Sequence, residues 1–576
     1  MPTPAPSVNL ALTEPTIASR TSNRSWLLDH RGLLISLFIV GFIAWFGGLE
    51  LRGLFFPDEG RYAEIPLGML TTGDWITPRL NGIKYFEKPP LQYWATATIY
   101  SLLGTDEWTA RLWPALTGFA GILGVGAAGA RLYGARTAVV AMGVLISSWA
   151  YFLGGQYLTL DMGLTFFLTV SLMSFLWAQQ DDTAPRARRN AMWVTWVALA
   201  MAVLSKGLVA LVLPTLTLVG YSASVRSVRI WQRMHLLSGL ALLTVIAVPW
   251  FVAAQLQNVE FFQLFFIQEH FQRFASEGHH RLGPWYYFIV IGVVGMLPWS
   301  AAWSRCIRAM PSLLRRPPNT AFQTDRFLLI WILVIFVFFS VSKSKLPAYV
   351  LPAFPALALL VAHSIVAAPE REVGFAAVLI MVLGWALLVA IPFADRWDKV
   401  QDLGAAFDTS RMWSIAAAIA LVVGGTAAWM LRRSRVWFAF GVVAIANLLF
   451  WHAVNLAFSQ VDDLYSSEQM IERLTDDQRP FAPNAPFFSL GSLDQSVPFY
   501  LGRPVTLVAD KSELREGIKA EPEKYVASLP SFIERWNAAS HAYAIMSIHD
   551  YEALLANGVV MRQVERDRRR VIVARS

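Results

Sequence analysis

Long apolar runs separated by short polar connectors dominate the chain. They cover residues 33–49, 110–131, 136–154, 160–178, 191–206, 208–223, 236–256, 285–304, 326–341, 347–367, 373–393, 412–431 and 436–457. At roughly 20 apolar residues per bilayer crossing, this pattern predicts about 13 membrane-spanning helices. The run Leu91–Leu103 is apolar but too short to cross, so it is expected as a helix lying on the membrane surface. Residues 1–25 are rich in Pro, Ser and Thr and contain no apolar run, which predicts a disordered cytoplasmic tail.

The cations in the short connectors set the expected orientation. Counting from an inside N-terminus, the cytoplasmic loops hold Arg131 and Arg136; Arg186, Arg188 and Arg189; Arg226, Arg229 and Arg233; Arg305, Arg308, Arg315 and Arg316; and Arg432, Arg433 and Arg435. If Leu91–Leu103 crossed the membrane, every later basic loop would be outside. The same count places the long loops 50–107 and 255–284 and the short loops 154–161 and 342–346 on the outer side. Residues 458–576 change character, with clustered acids followed by strand-like runs at Phe487–Leu490, Tyr543–Ile548 and Arg570–Ala574 and a helix-like run at Asp550–Ala556. They predict a small α/β domain, 458–576, on the outer surface beside a membrane domain at 26–457.

Composition agrees with a membrane protein. Of 576 residues, 55% are hydrophobic and 15% charged, and the mean hydropathy of +0.45 excludes a water-soluble globular fold. The net charge of +8 reflects basic loops, and no nucleic-acid partner is expected. With Cys306 as the single cysteine, no internal disulfide is available to the outer domain.

Polar residues in the outer loops exceed what connectors need. The first loop contains Asp58-Glu-Gly-Arg-Tyr-Ala-Glu64 and Tyr85-Phe-Glu-Lys-Pro-Pro-Leu-Gln-Tyr-Trp94, and helices are expected near 59–72 and 89–104. Taken alone, Asp58 and Asp161 each have a plain reading as helix N-caps. In the third loop, Glu269, His270 and Arg273 fall within one helical turn. Lys343 and Lys345 lie outside against the positive-inside trend and call for a local anion. Lys206 has no carboxylate nearby in sequence, so snorkelling to the headgroups is one reading. Together Arg61, Lys88, Lys206, Arg273, Lys343 and Lys345 collect cations at one membrane face beside Tyr and Trp, as binding of a lipid phosphate would require.

These runs, with Leu158-Thr-Leu-Asp161-Met, Ser205-Lys-Gly207 and Lys345-Leu-Pro-Ala-Tyr349, resemble the bacterial members of the protein O-mannosyltransferase-like superfamily, and within it the aminoarabinose transferases that modify lipid A. The resemblance covers about residues 30–460 and extends to a C-terminal outer domain. It implies an all-α polytopic fold of the C-type glycosyltransferase class, acting in the bacterial inner membrane with its site facing the periplasm. The implied reaction moves 4-amino-4-deoxy-L-arabinose from undecaprenyl phosphate to lipid A phosphates, which would give resistance to polymyxin and other cationic peptides.

Residue by residue, the resemblance implies that Asp58 and Asp161 are the active-site carboxylates. Lys88 and Arg273 hold the carrier phosphate, and Arg61, Tyr62, Tyr85, Lys206, Lys345 and Tyr349 line the donor cavity. No cofactor is required, although Glu87 and His270 could join the two long loops through a structural divalent metal such as zinc; two ligands are fewer than a closed site needs. The implied partners are the lipid-linked aminosugar, lipid A and membrane lipids, with the chain as a monomer. A lipid A phosphate is already an anion and needs no general base, whereas a hydroxyl acceptor would make Asp58 the base. The same carboxylates fit both, so transfer from the same carrier to a protein or another glycolipid stays open. A transporter is disfavoured because the mid-span stretches are nearly uncharged.

Overall fold

The computed structural model describes residues 28–272, 283–303, 307–308, 310–311, 315, 321–396, 405–476, 481–510 and 513–575. Residues 1–25, Cys306, Arg305, Arg316 and Arg273 lie outside this set, as does the side chain of His270. Helices occupy every long apolar run. In order they are Arg31–Phe46, Glu107–Leu132, Ala135–Ser147 continued by Trp149–Gln156, Asp161–Gln179, Pro185–Lys206, Val209–Val225, Leu236–Gln257, Tyr287–Gly295, Thr324–Val341, Pro347–Ala367, Pro369–Ala390, Ala405–Leu431 and Val436–Ser459.

Eight of these, among the described residues, are long and apolar enough to cross a membrane, or nine if the pair bent by 63° around Ser148 forms one span. The expected count of about 13 is not reached on these criteria, for identifiable reasons. Arg31–Phe46 and Val209–Val225 have 16 and 17 residues. Pro185–Lys206 carries Arg186, Arg188 and Arg189 at its start, and Tyr287–Gly295 stops after 9 residues.

Two further helices, Asp58–Thr72 and Leu91–Leu103, lie between the first two apolar helices in sequence and pack against each other. The first ends at Gly73, whose φ of 73° lets its N–H close back on the Met69 carbonyl. Between the two helices, β1 (Arg79–Leu80) and β2 (Ile83–Lys84) form a short antiparallel hairpin.

The C-terminal domain is a six-stranded mixed sheet. Its strands are β3 (Phe487–Leu490), β4 (Thr506–Val508), β5 (Tyr525–Val526), β6 (Ala542–Ser547), β7 (Arg562–Arg566) and β8 (Arg570–Arg575), in spatial order β5-β4-β3-β6-β8-β7. Strands β3 to β6 pair in parallel, and β8 runs antiparallel to both β6 and β7. The alternation of strand side chains divides the core in two. Phe487, Leu507, Ile545 and Ile572 face a cluster shared with Tyr62, Ile65, Leu80, Tyr85 and Tyr93 of the first loop. Phe488, Val508, Ala544, Val571 and Val573 face the opposite way, onto Phe532 and Trp536. One face of the sheet therefore shares a single apolar core with the loop that carries Asp58.

Polar contacts lock this interface. Asn81 and Val505 exchange two hydrogen bonds of 2.7 Å, and Glu521 accepts from Arg79 at 2.8 and 3.0 Å and from the Lys84 amide at 3.2 Å. Gly60 sits where an added Cβ would meet the Ser496 nitrogen at 2.5 Å, so the Asp58–Thr72 helix approaches the domain's backbone at a distance only glycine permits.

Candidate active site

The chain enters the site region through a rigid corner. Glu59 is fully buried and accepts from Arg111 at 2.8 and 3.0 Å, from the Leu158 amide at 3.0 Å and from the Phe55 amide at 3.1 Å, and it also pairs with Arg52. Burial alone would raise its pKa, but Arg111 and Arg52 outweigh burial and hold it at about 2. Glu59 thus ties the end of the first apolar helix to the starts of the Asp58–Thr72 and Glu107–Leu132 helices. Its role is structural, and it aims its neighbour Asp58.

Asp58 and Asp161 are both first residues of helices, one position past the N-caps, which are Pro57 and Leu160. Each is paired with a cation instead. Arg61 donates to Asp58 at 3.0 Å, one turn along the same helix, and Lys206 pairs with Asp161 across 45 residues of sequence. The Lys206 amine also lies 5.0 Å from the Tyr349 ring centroid. Tyr349 contacts Phe339 and Phe288, and Phe288 in turn faces the Lys345 amine at 5.6 Å. Asp161, Lys206, Tyr349 and Lys345 therefore form one continuous wall. Lys345 satisfies its amine on the carbonyl oxygens of Ser340 and Ser342, at 2.9 and 3.0 Å, and burial lowers its pKa. Backbone carbonyl dipoles, rather than the local anion its outlying charge suggested, receive it.

A second wall is aromatic. Tyr62 stacks on Tyr93 at 6.3 Å, and Arg61 lies 5.7 Å from the Tyr62 ring and 5.9 Å from the Tyr85 ring. All three phenols are pushed up by burial. At Tyr62, Arg61 opposes that rise while Asp58, Glu87 and Asp161 add to it, so both candidate acids and Glu87 act on one hydroxyl. The hydroxyls of Tyr85 and Tyr93 are buried and make no hydrogen bond among the described residues, leaving two polar groups with spare capacity beside this cluster.

The C-terminal domain supplies a residue that sequence reasoning missed. Glu513 pairs with Arg61 and accepts from Gln495. Burial raises its pKa, against the pull of Arg61. No motif surrounds Glu513: it lies in the charged run Asp510-Lys-Ser-Glu-Leu-Arg-Glu516, whose plain reading is a solvated surface segment.

Lys88 joins the first long loop to the third. Its amine reaches the Glu269 carboxylate at 3.4 Å, the Glu87 carbonyl at 3.0 Å and the Glu87 carboxylate at 3.9 Å. An ion pair thus links the two segments that a Glu87–His270 metal would join. Among the described residues no group of three or more His, Cys, Asp or Glu side chains converges as a metal site. Glu87 also acts electrostatically on Arg61 and Tyr85, which places Lys88 at the edge of the same cluster. The structure brings together Asp58, Arg61, Tyr62, Tyr85, Glu87 and Lys88 and joins them through Tyr62 to the Asp161 wall. The positions of Arg273 and of the His270 imidazole fall outside the described residues.

Comparison with known proteins accounts for both parts of this cluster. Residues 33–265 match the family model described as dolichyl-phosphate-mannose-protein mannosyltransferase, and residues 475–575 match the aminoarabinose transferase C-terminal domain. The undecaprenyl phosphate-α-4-amino-4-deoxy-L-arabinose arabinosyl transferase of Pseudomonas paraeruginosa is 33% identical over 322 residues, which span 55% of this chain and 57% of that protein. Its counterpart in Enterobacter sp. is 30% identical over 408 residues, or 68% and 70% of the two chains. The crystal structure of ArnT from Cupriavidus metallidurans bound to undecaprenyl phosphate superposes with a TM-score of 0.86 at 34% identity, covering 94% of this chain and 98% of that one. The chain is a multi-pass membrane protein of the C-type glycosyltransferase fold and belongs to the aminoarabinose arabinosyl transferase family.

Proposed function

We propose that this protein is an inner-membrane glycosyltransferase that moves 4-amino-4-deoxy-L-arabinose from undecaprenyl phosphate to the phosphate groups of lipid A on the periplasmic face. The observation that carries this reading is the Asp58–Arg61–Glu513 bridge, in which the segment matching the polyprenyl-phosphate mannosyltransferases and the segment matching the aminoarabinose domain meet on one polar cluster.

The chemistry fits the residues. The bond between the anomeric carbon and the carrier phosphate oxygen breaks, and its electron pair leaves on undecaprenyl phosphate, stabilised by Lys88 together with Arg273. An oxygen of the lipid A phosphate forms the new bond to the anomeric carbon. That phosphate is an anion, so no proton has to be removed. Asp58 and Asp161 are then available to stabilise positive charge developing at the anomeric carbon, or to hold the sugar's ammonium group. Glu513, at the aminoarabinose-specific end of the cluster, is a third carboxylate for the ammonium group. The monomer contains both walls of the site, and no step uses a metal. The added ammonium group lowers the negative charge of lipid A, which weakens binding of polymyxin and related cationic peptides.

Mass spectrometry of lipid A from cells with and without the protein tests the reading. An added aminopentose that disappears on Asp58→Ala substitution is expected. Unmodified lipid A alongside altered glycoproteins would replace it with the protein-acceptor alternative.

A further inference from the structure

An aminosugar brings an ammonium group to the site, and the carboxylate that receives it must be ionised and keep spare acceptor capacity. Asp161 is matched one to one by Lys206. Asp58 and Glu513, in contrast, divide the single guanidinium of Arg61, so two anions face one cation and a further cation completes the set. Glu513 is the more enclosed of the two, its side chain 16% exposed against 30% for Asp58. An ammonium group is worth more to the enclosed carboxylate, because less water screens the pair.

What keeps Glu513 ionised is therefore decisive. Burial, Glu87 and Asp58 all push its pKa up, and Arg61 and the Gln495 amide oppose them. Tyr85 and Tyr93 also face this charge. Arg61 is shared with Asp58, so its pull is divided, whereas Gln495 donates its Nε2–H to Glu513 Oε1 and leaves Oε2 to Arg61. The amide can present only its nitrogen here, since the opposite orientation would set two acceptor oxygens together. Its own oxygen is buried with no hydrogen bond among the described residues. Packing alone gives no reason to leave that acceptor unsatisfied, and holding the carboxylate does.

Gln495 is aimed from a fixed point. Asp494 accepts from the Ser496 amide at 3.1 Å and from the Ser496 hydroxyl at 2.7 Å, and it pairs with Arg570, which locks the turn. The Gln495 backbone packs on Gly60, where an added Cβ would meet the Gln495 carbonyl carbon at 2.6 Å and its oxygen at 2.8 Å. The amide thus keeps its register with the helix that carries Asp58 and Arg61.

We propose that Gln495 is a positioning residue that holds Glu513 as the anionic receptor for the donor's ammonium group, so that the C-terminal domain selects an aminosugar over a neutral sugar on the same carrier. This rests on the transfer reaction above. Gln495 acts through Glu513 and takes no part in breaking the donor bond.

The test is steady-state transfer by the full-length protein in lipid nanodiscs from about pH 5.5 to about pH 8. The same carrier bearing L-arabinose, with a hydroxyl in place of the amine, serves as a competitive inhibitor. Gln495→Met removes the amide at similar volume and is expected to move the acid limb of kcat/KM for the aminosugar donor up by about one pH unit. That is a loss of about tenfold below the limb, closing as pH rises, while the inhibition constant of the neutral analogue stays within about twofold. Gln495→Glu sets a second carboxyl against Glu513 and should move the limb further the same way; it decides by the same readouts if Gln495→Met does not fold. An acid limb at the wild-type pH would overturn the proposal. Equal losses for donor and neutral analogue at every pH would also overturn it, by showing that Gln495 only packs on Gly60. A wild-type inhibition constant for the neutral analogue equal to the donor KM would overturn the selection of an aminosugar. A wild-type protein that transfers no sugar to lipid A removes the parent reaction itself, a result distinct from each of these.

Discussion

Glu513 of the C-terminal domain is ion-paired with Arg61 of the Asp58–Thr72 helix, so a residue outside the membrane bundle orients the cation that holds Asp58. Removing Glu513 leaves Arg61 buried with Asp58 as its remaining paired carboxylate. Breaking a buried pair costs up to several kcal/mol, reduced here because Asp58 stays and Glu513 is partly solvated; about 1–3 kcal/mol is expected. Glu513→Ala should lower the melting temperature and reduce transfer about tenfold or more. Wild-type activity with wild-type stability would remove Glu513 from the site.

The Asp161–Lys206 pair predicts strong coupling. Lys206→Met strands a carboxylate, and Asp161→Asn strands an ammonium group that keeps its contact with Tyr349. The double variant should be less impaired in stability than the sum of the singles, by about 1–2 kcal/mol in a thermal-unfolding cycle. Additive effects would show that the two side chains act independently.

Glu59 and Glu64 lie on one helix and titrate in opposite directions. Burial pushes Glu64 up to about 8, against the pull of the Asn81 amide, so the folded state keeps a proton there that the unfolded chain releases near its ordinary value of 4.5. Stability from Glu64 is therefore lost as pH rises from about 4.5 to about 8. Glu59, held at about 2, contributes stability that is present above about 4.5 and is lost as pH falls towards 2. Melting temperature measured from about pH 5 to 8 should decline less steeply in Glu64→Gln than in wild type, while Glu59→Gln should be destabilised throughout this range. Identical slopes for wild type and Glu64→Gln would contradict the assignment.

The membrane part of the fold was legible because a helix that crosses a bilayer writes its own length in apolar residues: helices occupy the long runs from Arg31–Phe46 to Val436–Ser459. The core strands of the outer domain were legible too, at Phe487–Leu490 and Arg570–Arg575, where buried positions on both faces are mostly apolar, broken by Ser489 in the first and bounded by arginines in the second. What the sequence concealed is pairing over distance. Lys206 had no neighbouring carboxylate in sequence and finds Asp161 because two helices end at the same level. Glu59, adjacent to Asp58, differs from it by pointing at Arg52 and Arg111, and nothing in an Asp-Glu dipeptide says which acid is structural. The link between Arg61 and Glu513 depends on how the domain docks, through Gly60 and Asn81, and no local pattern encodes that.

Lys88 carries the most direct consequence of the account, since its amine at the Glu87–Glu269 junction is assigned the leaving phosphate. Purified wild-type protein should transfer the sugar from undecaprenyl phosphate to lipid A in a single turnover. Lys88→Ala should fold and insert normally yet lose at least about a hundredfold in that rate, the scale expected when a charge-stabilising donor is removed from a water-excluded site. A Lys88→Ala protein that turns over at the wild-type rate would contradict the account.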